Sequence, residues 1–233
     1  MAELDWSDET SRAYARYMEK NIRYDYRRWA TRILTDLGTM PPGATVVDVA
    51  GGPGFLALEL GRHLDHPRLW VVDGSPTMLQ LAVESGRKYS EEVGTRLGQA
   101  ERLEFPDGFA DVVVCKHFIR LSPDPERALR EMVRTLKPGG RAYVVDFDGE
   151  APALRRWLLS FWIRMTAPEF IRSAFRDALR TGFPAHRMVA MLGNAGLSNA
   201  RVLSRGTSYL VAGDRPSARP TVVPSSLGTP TPT

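Results

Sequence analysis

The sequence predicts an α/β fold: a doubly wound sheet of seven strands, mostly parallel, with an antiparallel C-terminal hairpin and helical caps over a substrate site. Two observations predict it. Short apolar runs typical of buried strands alternate with longer amphipathic segments between residues 41 and 148, which implies parallel strands joined by right-handed crossovers. Two short strand patterns separated by Gly206 then form the hairpin.

The first half of the chain begins with helix. In residues 9–37 apolar and tyrosine side chains recur near helical spacing, which predicts two helices or one broken helix. The run PPGATVVDVAGG is typical of a turn followed by a buried strand, and a helix begins directly after its glycines. RLWVVDG is the second strand, and the next helix has Ser75 as N-cap and Pro76 at its first position.

The alternation continues through the middle of the chain. A short third strand lies near Arg96 and Leu97, FADVVVC is the fourth, and RAYVVDFD is the fifth. The segment PERALREMVRTLKPGG between the last two predicts a helix that ends on Gly139 and Gly140. Residues 154–192 have a helical pattern rich in large apolar groups.

These patterns define the domain organisation. Residues 1–213 form one domain, with residues 1–40 as an N-terminal helical cap and residues 150–195 as a helical insertion that caps the substrate. Residues 214–233 are rich in proline, serine and threonine, so we expect a disordered tail.

Composition excludes several classes of protein. The chain has 43% hydrophobic and 25% charged residues, as in ordinary soluble proteins. Its only cysteine is Cys115, which excludes an intrachain disulfide or a cysteine cluster and favours a reducing cytoplasm. No membrane span, signal peptide or metal site is predicted. The net charge of +4 is scattered, which favours anionic ligands but not nucleic acid.

The stretch VVDVAGGPGFLAL concentrates glycines between two buried elements. Gly52, Gly54 and Ala57 fit the dinucleotide pattern G-x-G-x-x-[GA], although a tight turn without a ligand is the alternative. Asp73 ends the second strand about 20 residues later, where a carboxylate can bind both hydroxyls of a ribose; alternatively it is a helix-start acid near Ser75. Together the two features predict a nucleoside cofactor.

The remaining motifs indicate which cofactor. In order, VVDVAGGPG, LWVVDGSPTML, the segment from GQAERLEFPDGF to RAYVVDF, and the closing hairpin resemble the motifs of class I S-adenosylmethionine-dependent methyltransferases. The resemblance is strongest to the branch that includes ubiquinone and menaquinone biosynthesis methyltransferases. It covers residues 41–149 closely and the hairpin loosely, and it implies a Rossmann-like sheet.

The resemblance implies that the cofactor is S-adenosylmethionine. The implied contacts are Asp48, Ala50, Gly51 and Gly52 for the amino-acid end, Asp73 for the ribose, Gly74 and Met78 for the adenine face, and Gln99, Ala100 and Cys115. Gln99 stands where the family usually has an acid, so the adenine contact is neutral and weaker. Cys115, at the end of the fourth strand, is a packing residue rather than a nucleophile, since no partner histidine is fixed.

Candidate acceptor-side residues follow the fourth and fifth strands. His117 either takes a proton from an acceptor as a general base or holds a loop. Lys116 either stays solvated or offsets a substrate anion. Asp146 either contacts substrate or caps the next segment.

Aromatic side chains of the two caps complete the candidate substrate site. Tyr17 and Tyr26 come from the first cap and Trp162 from the second. Side chains at this spacing usually form core, but their number exceeds what a small cap needs. Arginines interleave with the aromatics of the second cap, which favours an apolar, aromatic and partly anionic small molecule.

The predicted function is methyl transfer from S-adenosylmethionine to such an acceptor, in the biosynthesis of a quinone-like or specialised metabolite. The segment after the fourth strand lacks the Asn-Pro-Pro-Tyr type of motif of nucleic-acid methyltransferases and the paired glutamates of protein-arginine methyltransferases. Two alternatives stay open: a cofactor-assisted cyclisation without methyl transfer, and a non-catalytic subunit of a partner enzyme. The protein is expected to be a monomer or a homodimer.

Overall fold

One sheet of seven strands runs through residues 7–217, the part of the chain that the computed structural model describes. Its spatial order is β3-β2-β1-β4-β5-β7-β6. The strands are β1 Thr45–Val49, β2 Arg68–Asp73, β3 Val93–Leu97, β4 Ala110–Lys116, β5 Leu136–Phe147, β6 Ser198–Arg205 and β7 Ser208–Asp214. Strands β1 to β5 pair in parallel, and β7 is antiparallel to both β5 and β6. The predicted fold class is confirmed.

Eight α-helices of the described residues cover the sheet. They are α1 Asp8–Tyr17, α2 Arg23–Leu37, α3 Phe55–Gly61, α4 Pro76–Lys88, α5 Pro125–Thr135, α6 Ala153–Thr166, α7 Glu169–Thr181 and α8 Ala185–Asn194. The hydroxyl of Ser75 accepts a hydrogen bond from the Met78 amide and Pro76 opens α4, as the sequence predicted.

The central strands are apolar on both faces because helices pack on both sides. In β4, Val113 and Cys115 belong to one core cluster, whereas Val112 and Val114 belong to the cluster on the opposite face. The strand order reverses between β1 and β4. Ligands of such sheets bind beyond the carboxyl ends of the strands at this point.

The N-terminal cap is one helix broken by a π-turn. Residues 18–22 form this turn between α1 and α2. A π-turn inserts one extra residue into the helical spacing and often lies at functional sites. The insertion therefore rotates the face that α1 presents relative to α2.

Two predicted boundaries were wrong. Helix α5 ends at Thr135 instead of Gly139 and Gly140, because Pro138 disfavours helical geometry at the preceding residue, and β5 begins at once. The ordered domain continues beyond residue 213. Asp214 pairs with Arg141, and the Arg215 amide donates to the Gly140 carbonyl at 2.8 Å. The rest of the predicted tail from residue 218, like residues 1–6 of the cap, lies outside the described residues.

No helix among the described residues is long and apolar enough to cross a membrane. Within residues 7–217, no group of three or more histidine, cysteine, aspartate or glutamate side chains is arranged to hold a metal ion. The cytoplasmic compartment and the oligomeric state stay predictions.

Candidate cofactor and acceptor site

A cleft of about 1250 Å³ opens at the carboxyl ends of β1, β2, β4 and β5. Its floor includes Ala50 and Asp73, and its roof includes Met18 of the π-turn, Trp162 of α6 and Phe175 of α7. Pockets for one small molecule usually measure about 300–1,000 Å³. The cleft is therefore large enough for two ligands side by side.

The glycine loop after β1 forms one wall of the cleft. Ala50, Gly52 and Gly54 all have positive φ, at 52°, 53° and 74°. A Cβ at Gly51 would lie 2.7 Å from Cγ of Asp48, so this position requires glycine. A Cβ at Gly52 would meet nothing closer than the Met78 sulfur at 3.8 Å. The loop backbone is thus closely packed underneath and open toward the cleft.

Asp73 lies at the end of β2 beside this loop and lines the cleft. Its Oδ2 accepts a hydrogen bond from the Gly52 amide at 2.9 Å, and its Oδ1 accepts one from the Ser75 amide at 2.9 Å. Burial raises the pKa of the carboxyl, and these amides act in the opposite direction. Each oxygen keeps a lone pair, so the carboxylate can accept further hydrogen bonds from a ligand.

Asp48 lies beneath the glycine loop, is almost fully buried and, unlike Asp73, does not itself line the cleft. Its Oδ2 accepts a hydrogen bond from the Ala57 amide at 3.2 Å, and Oδ1 has no hydrogen-bond partner among the described residues. Burial raises the pKa of the carboxyl to about 7. A buried acid with an unused oxygen fits a site that receives positive charge from a ligand.

Four further residues of the predicted cofactor set line the same wall: Gly74, Met78, Gln99 and Ala100. A Cβ at Gly74 would approach nothing closer than the Gly98 carbonyl oxygen at 4.0 Å. Met78 and Ala100 give this wall apolar groups, and Gln99 gives it an amide. Gly51 does not itself line the cleft; its amide donates to the Val72 carbonyl and fixes the loop.

His117 directly follows β4 and lines the cleft. Its φ is 61°, its amide donates to the Val145 carbonyl at 2.7 Å, and its ring stacks on Phe147 at 4.3 Å between centroids. Burial, and then the charges of Lys116 and Arg120, hold the imidazole pKa well below its usual value. The ring is therefore neutral at pH 7.

The neighbour of His117 decides which ring nitrogen carries the proton. Nδ1 lies 3.2 Å from Nζ of Lys116. An ammonium group can only donate, so Nδ1 accepts and the proton sits on Nε2. Nε2 has no hydrogen-bond partner among the described residues. In this arrangement His117 offers a ligand an N–H donor rather than a base.

Lys116 is neither solvated nor a free anion receptor. Its side chain is 7% exposed, its Nζ lies 3.2 Å from Oδ2 of Asp25, and it lies over the ring of Tyr26 at 4.3 Å. The lysine also lines the cleft. Its contacts with Asp25 and Tyr26 join the N-terminal cap to β4.

Arg120 is a cleft residue that the sequence analysis missed. Its guanidinium lies over the ring of Phe147 and donates to the His117 carbonyl at 3.2 Å. Asp146 holds it, with Oδ1 lying 3.6 Å from Arg120 Nε.

The prediction that Asp146 contacts substrate was wrong: it is fully buried, and the Phe147 amide also donates to it. A buried acid near the end of β5 predicts a cation close to it, and this was the signal in the sequence that could have identified Arg120.

Three other predicted contacts do not reach the cleft. Tyr17 is buried between the caps, with its hydroxyl 3.2 Å from Oγ1 of Thr166, and Tyr26 packs edge-on against Phe55. Cys115 is fully buried in the core, and burial raises its thiol pKa well above the usual value. Tyr14 and Met18 line the cleft from the N-terminal cap instead, and Trp162 lines it as predicted.

Comparison with known proteins identifies the domain. Residues 47–144 match the family model described as a methyltransferase domain. The chain is 35% identical over 137 residues, 57% of its length, to the chloroplastic 2-methyl-6-phytyl-1,4-hydroquinone methyltransferase of Spinacia oleracea. It is 36% identical over 126 residues, 53% of its length, to the ubiquinone/menaquinone biosynthesis C-methyltransferase UbiE of Enterobacter sp. strain 638. Residues 47–144 are therefore similar to a methyltransferase domain, and the curated relatives that share this region are methyltransferases.

The coverage of these relatives is partial. The chain spans 39% of the spinach protein and 50% of the Enterobacter protein. A solved structure from Methanococcus maripaludis, described as an S-adenosyl-L-methionine-dependent methyltransferase, has a TM-score of 0.72 with 19% identity and covers 95% of this chain and 100% of its own. This likeness supports the fold alone.

The similarity to a methyltransferase domain implies S-adenosylmethionine as the cofactor, and the residues present fit it. The buried carboxyl of Asp48 has an unused oxygen under the glycine loop, where it can offset positive charge. Asp73 lines the cleft with oxygens that can accept further hydrogen bonds, and the open faces of Gly52 and Gly74 leave room for a ligand.

Proposed function

We propose that the protein transfers a methyl group from S-adenosylmethionine to an apolar or aromatic small molecule of the quinol class. The observation that carries the proposal is the continuity of the cleft, which runs from Asp73 and the glycine loop to His117 and the ring of Phe147. The names of the two curated relatives, both quinone-pathway methyltransferases, support the acceptor class.

Binding of the cofactor falls to the carboxylates and the loop. S-adenosylmethionine supplies a methyl group that its positive sulfonium has already activated, so the protein mainly aligns the acceptor and excludes water. Asp73 accepts hydrogen bonds from the ribose hydroxyls while Gly52 and Ser75 hold its oxygens in place. Asp48 offsets positive charge at the amino-acid end.

Activation of the acceptor falls to His117, Arg120 and Phe147. The Nε2–H of His117 donates to an acceptor oxygen, and the ring of Phe147 packs against the acceptor. A nearby cation favours the ionised form of a phenol, and Arg120 lines this part of the cleft. The ionised ring is the stronger nucleophile. Its proton leaves to solvent, since the Nδ1 lone pair of His117 is already used.

The first experiment is calorimetric titration with S-adenosylmethionine and S-adenosylhomocysteine. Wild type should bind both in the micromolar range, and Asp73→Ala should weaken binding by roughly 100-fold, because hydrogen bonds to a buried charge contribute about 1.5–3 kcal/mol each. Asp65→Ala is the matched control, since Asp65 is exposed and lies outside the cleft. Absence of binding in wild type would overturn the proposal and favour the non-catalytic subunit.

The second experiment tests the reaction. Wild type should methylate a prenylated hydroquinone, and mass spectrometry should find one S-adenosylhomocysteine for each methylated product. A cyclisation would leave S-adenosylmethionine unchanged while the acceptor is consumed. That outcome would replace methyl transfer with the cyclase alternative.

A further inference from the structure

The outer face of α6 exposes an unusual set of large apolar side chains. Trp157 is 61% exposed, Phe161 54% and Met165 69%. The full set is Leu154, Trp157, Leu158, Phe161, Trp162 and Met165. Monomeric soluble proteins rarely expose contiguous apolar patches of this kind without a binding role.

The spacing of these six residues makes the patch continuous. At 100° per residue they occupy one arc of about 140° on the helix, with no polar residue inside it. Arg164 lies at one edge of the arc and Arg155 at the other, and both are exposed. The fourteen residues of α6 contain no aspartate or glutamate.

The rest of the protein fixes the arc toward the outside. Ile163, on the opposite side of α6, is buried in the core cluster. Arg156 lies on the same inner side and donates to the Leu179 carbonyl at 2.9 Å. Rotation that would bury Trp157 or Phe161 would expose Ile163 and break this hydrogen bond.

The geometry points to α6 as an interfacial helix that lays its apolar arc into the surface of an anionic lipid bilayer. Tryptophan and phenylalanine on one face with arginines at its edges suit the headgroup boundary, where rings enter the acyl region and guanidinium groups meet phosphates. The inference concerns binding and does not depend on methyl transfer.

Two occupants could cover the apolar arc of α6, an anionic bilayer or a second copy of the chain, and the charges beside the arc favour the bilayer. Two copies packed through this arc would bring Arg155 and Arg164 of each α6 close together, with no carboxylate on either helix to pair with them. Anionic headgroups complement the same arginines. The occupant that fits is therefore a lipid surface.

The position of Trp162 connects this surface to the cleft. Trp162 belongs to the exposed arc and also lines the cleft. Leu159, which lies outside the arc, lines the cleft beside it. Two further exposed apolar residues, Tyr24 and Leu121, line the same cleft. An apolar acceptor dissolved in the bilayer would reach the cleft without crossing water.

Vesicle sedimentation tests the inference with the full chain. Wild type should partition onto vesicles of phosphatidylglycerol and phosphatidylcholine in equal parts. Arg155→Gln with Arg164→Gln should lower the partition coefficient roughly 30-fold, since each arginine contributes about 1 kcal/mol near an anionic surface. Trp157→Ser with Phe161→Ser should lower it by at least about 10-fold through lost apolar burial.

Matched controls keep the test specific. Arg127→Gln with Arg130→Gln removes the same charge from exposed positions of α5, and Val202→Ser removes an exposed apolar group of β6. Both should bind vesicles like wild type. Equal partitioning of the α6 variants and wild type would overturn the inference. So would light scattering that finds a lipid-free dimer which the Trp157 and Phe161 substitutions dissociate.

Discussion

The two halves of the cleft are built from different chemical groups. The half proposed for the cofactor has two acids on adjacent strands, Asp48 and Asp73, which accept hydrogen bonds from main-chain amides of the glycine loop and the helix after it. The acceptor half uses side-chain cations and rings, such as Arg120 and Phe147, from distant segments. The first half is fixed by local backbone geometry, whereas the second depends on how the caps dock.

The largest expected effect comes from the buried acid of the cofactor half. Burial raises the Asp48 pKa from 3.8 to about 7. Between these pH values the folded protein keeps a proton that the unfolded chain has lost, so the free energy of unfolding falls as the pH rises from about 4 to 7. The effect of Asp48→Asn on the stability of the ligand-free protein should therefore be more favourable at pH 8 than at pH 5, by about 2–3 kcal/mol. Chemical denaturation at the two pH values measures it.

The same substitution should weaken S-adenosylmethionine binding. The negative charge of Asp48 destabilises the ligand-free protein, but it is proposed to offset the positive charge at the amino-acid end of the cofactor. Asp111→Asn is the control, because Asp111 is paired with Lys137 and lies outside the cleft. A stability gain that does not vary with pH would contradict the raised pKa.

The glycine loop offers the next effect. Gly51→Ala places a Cβ 2.7 Å from Cγ of Asp48, so the loop or the buried Asp48 side chain must shift, and we expect a loss of about 1–3 kcal/mol in stability together with weaker cofactor binding. Gly193→Ala is a matched control in α8, where a Cβ meets nothing within 4 Å, and it should stabilise the helix by about 0.5–1 kcal/mol. Thermal unfolding distinguishes them. Equal tolerance of both substitutions would show that the loop is not tightly packed.

On the acceptor side, His117→Asn tests the donor role. Asparagine tolerates the positive φ of 61° and removes the Nε2–H. Methyl transfer should fall about 10- to 100-fold in kcat/KM while cofactor affinity stays unchanged, as expected for one lost hydrogen bond. If His117 were a base instead, activity would follow its titration, so kcat/KM is measured from pH 5 to pH 9. A sigmoidal rise that disappears in His117→Asn would contradict the donor role.

These differences explain which parts of the site the sequence could predict. Asp73 and the glycine loop were predicted because strand ends and positive-φ turns have local signatures. Arg120 lacks such a signature, since its role depends on Asp146, which lies 26 positions later in the chain. The π-turn of residues 18–22 is also invisible to a regular helical period, so Tyr17 was assigned to the cleft where Tyr14 and Met18 line it.

The smallest expected effect concerns how the two caps dock on each other. The hydroxyl of Tyr17 and Oγ1 of Thr166 lie 3.2 Å apart and join α1 to α6. Tyr17→Phe should lower stability by about 0.5–1.5 kcal/mol, and Thr166→Val should have a similar effect. Because both remove the same bond, the double variant should lose less than the sum of the two, which a double-mutant cycle in urea measures. Additive losses would mean that the two caps dock independently of this bond.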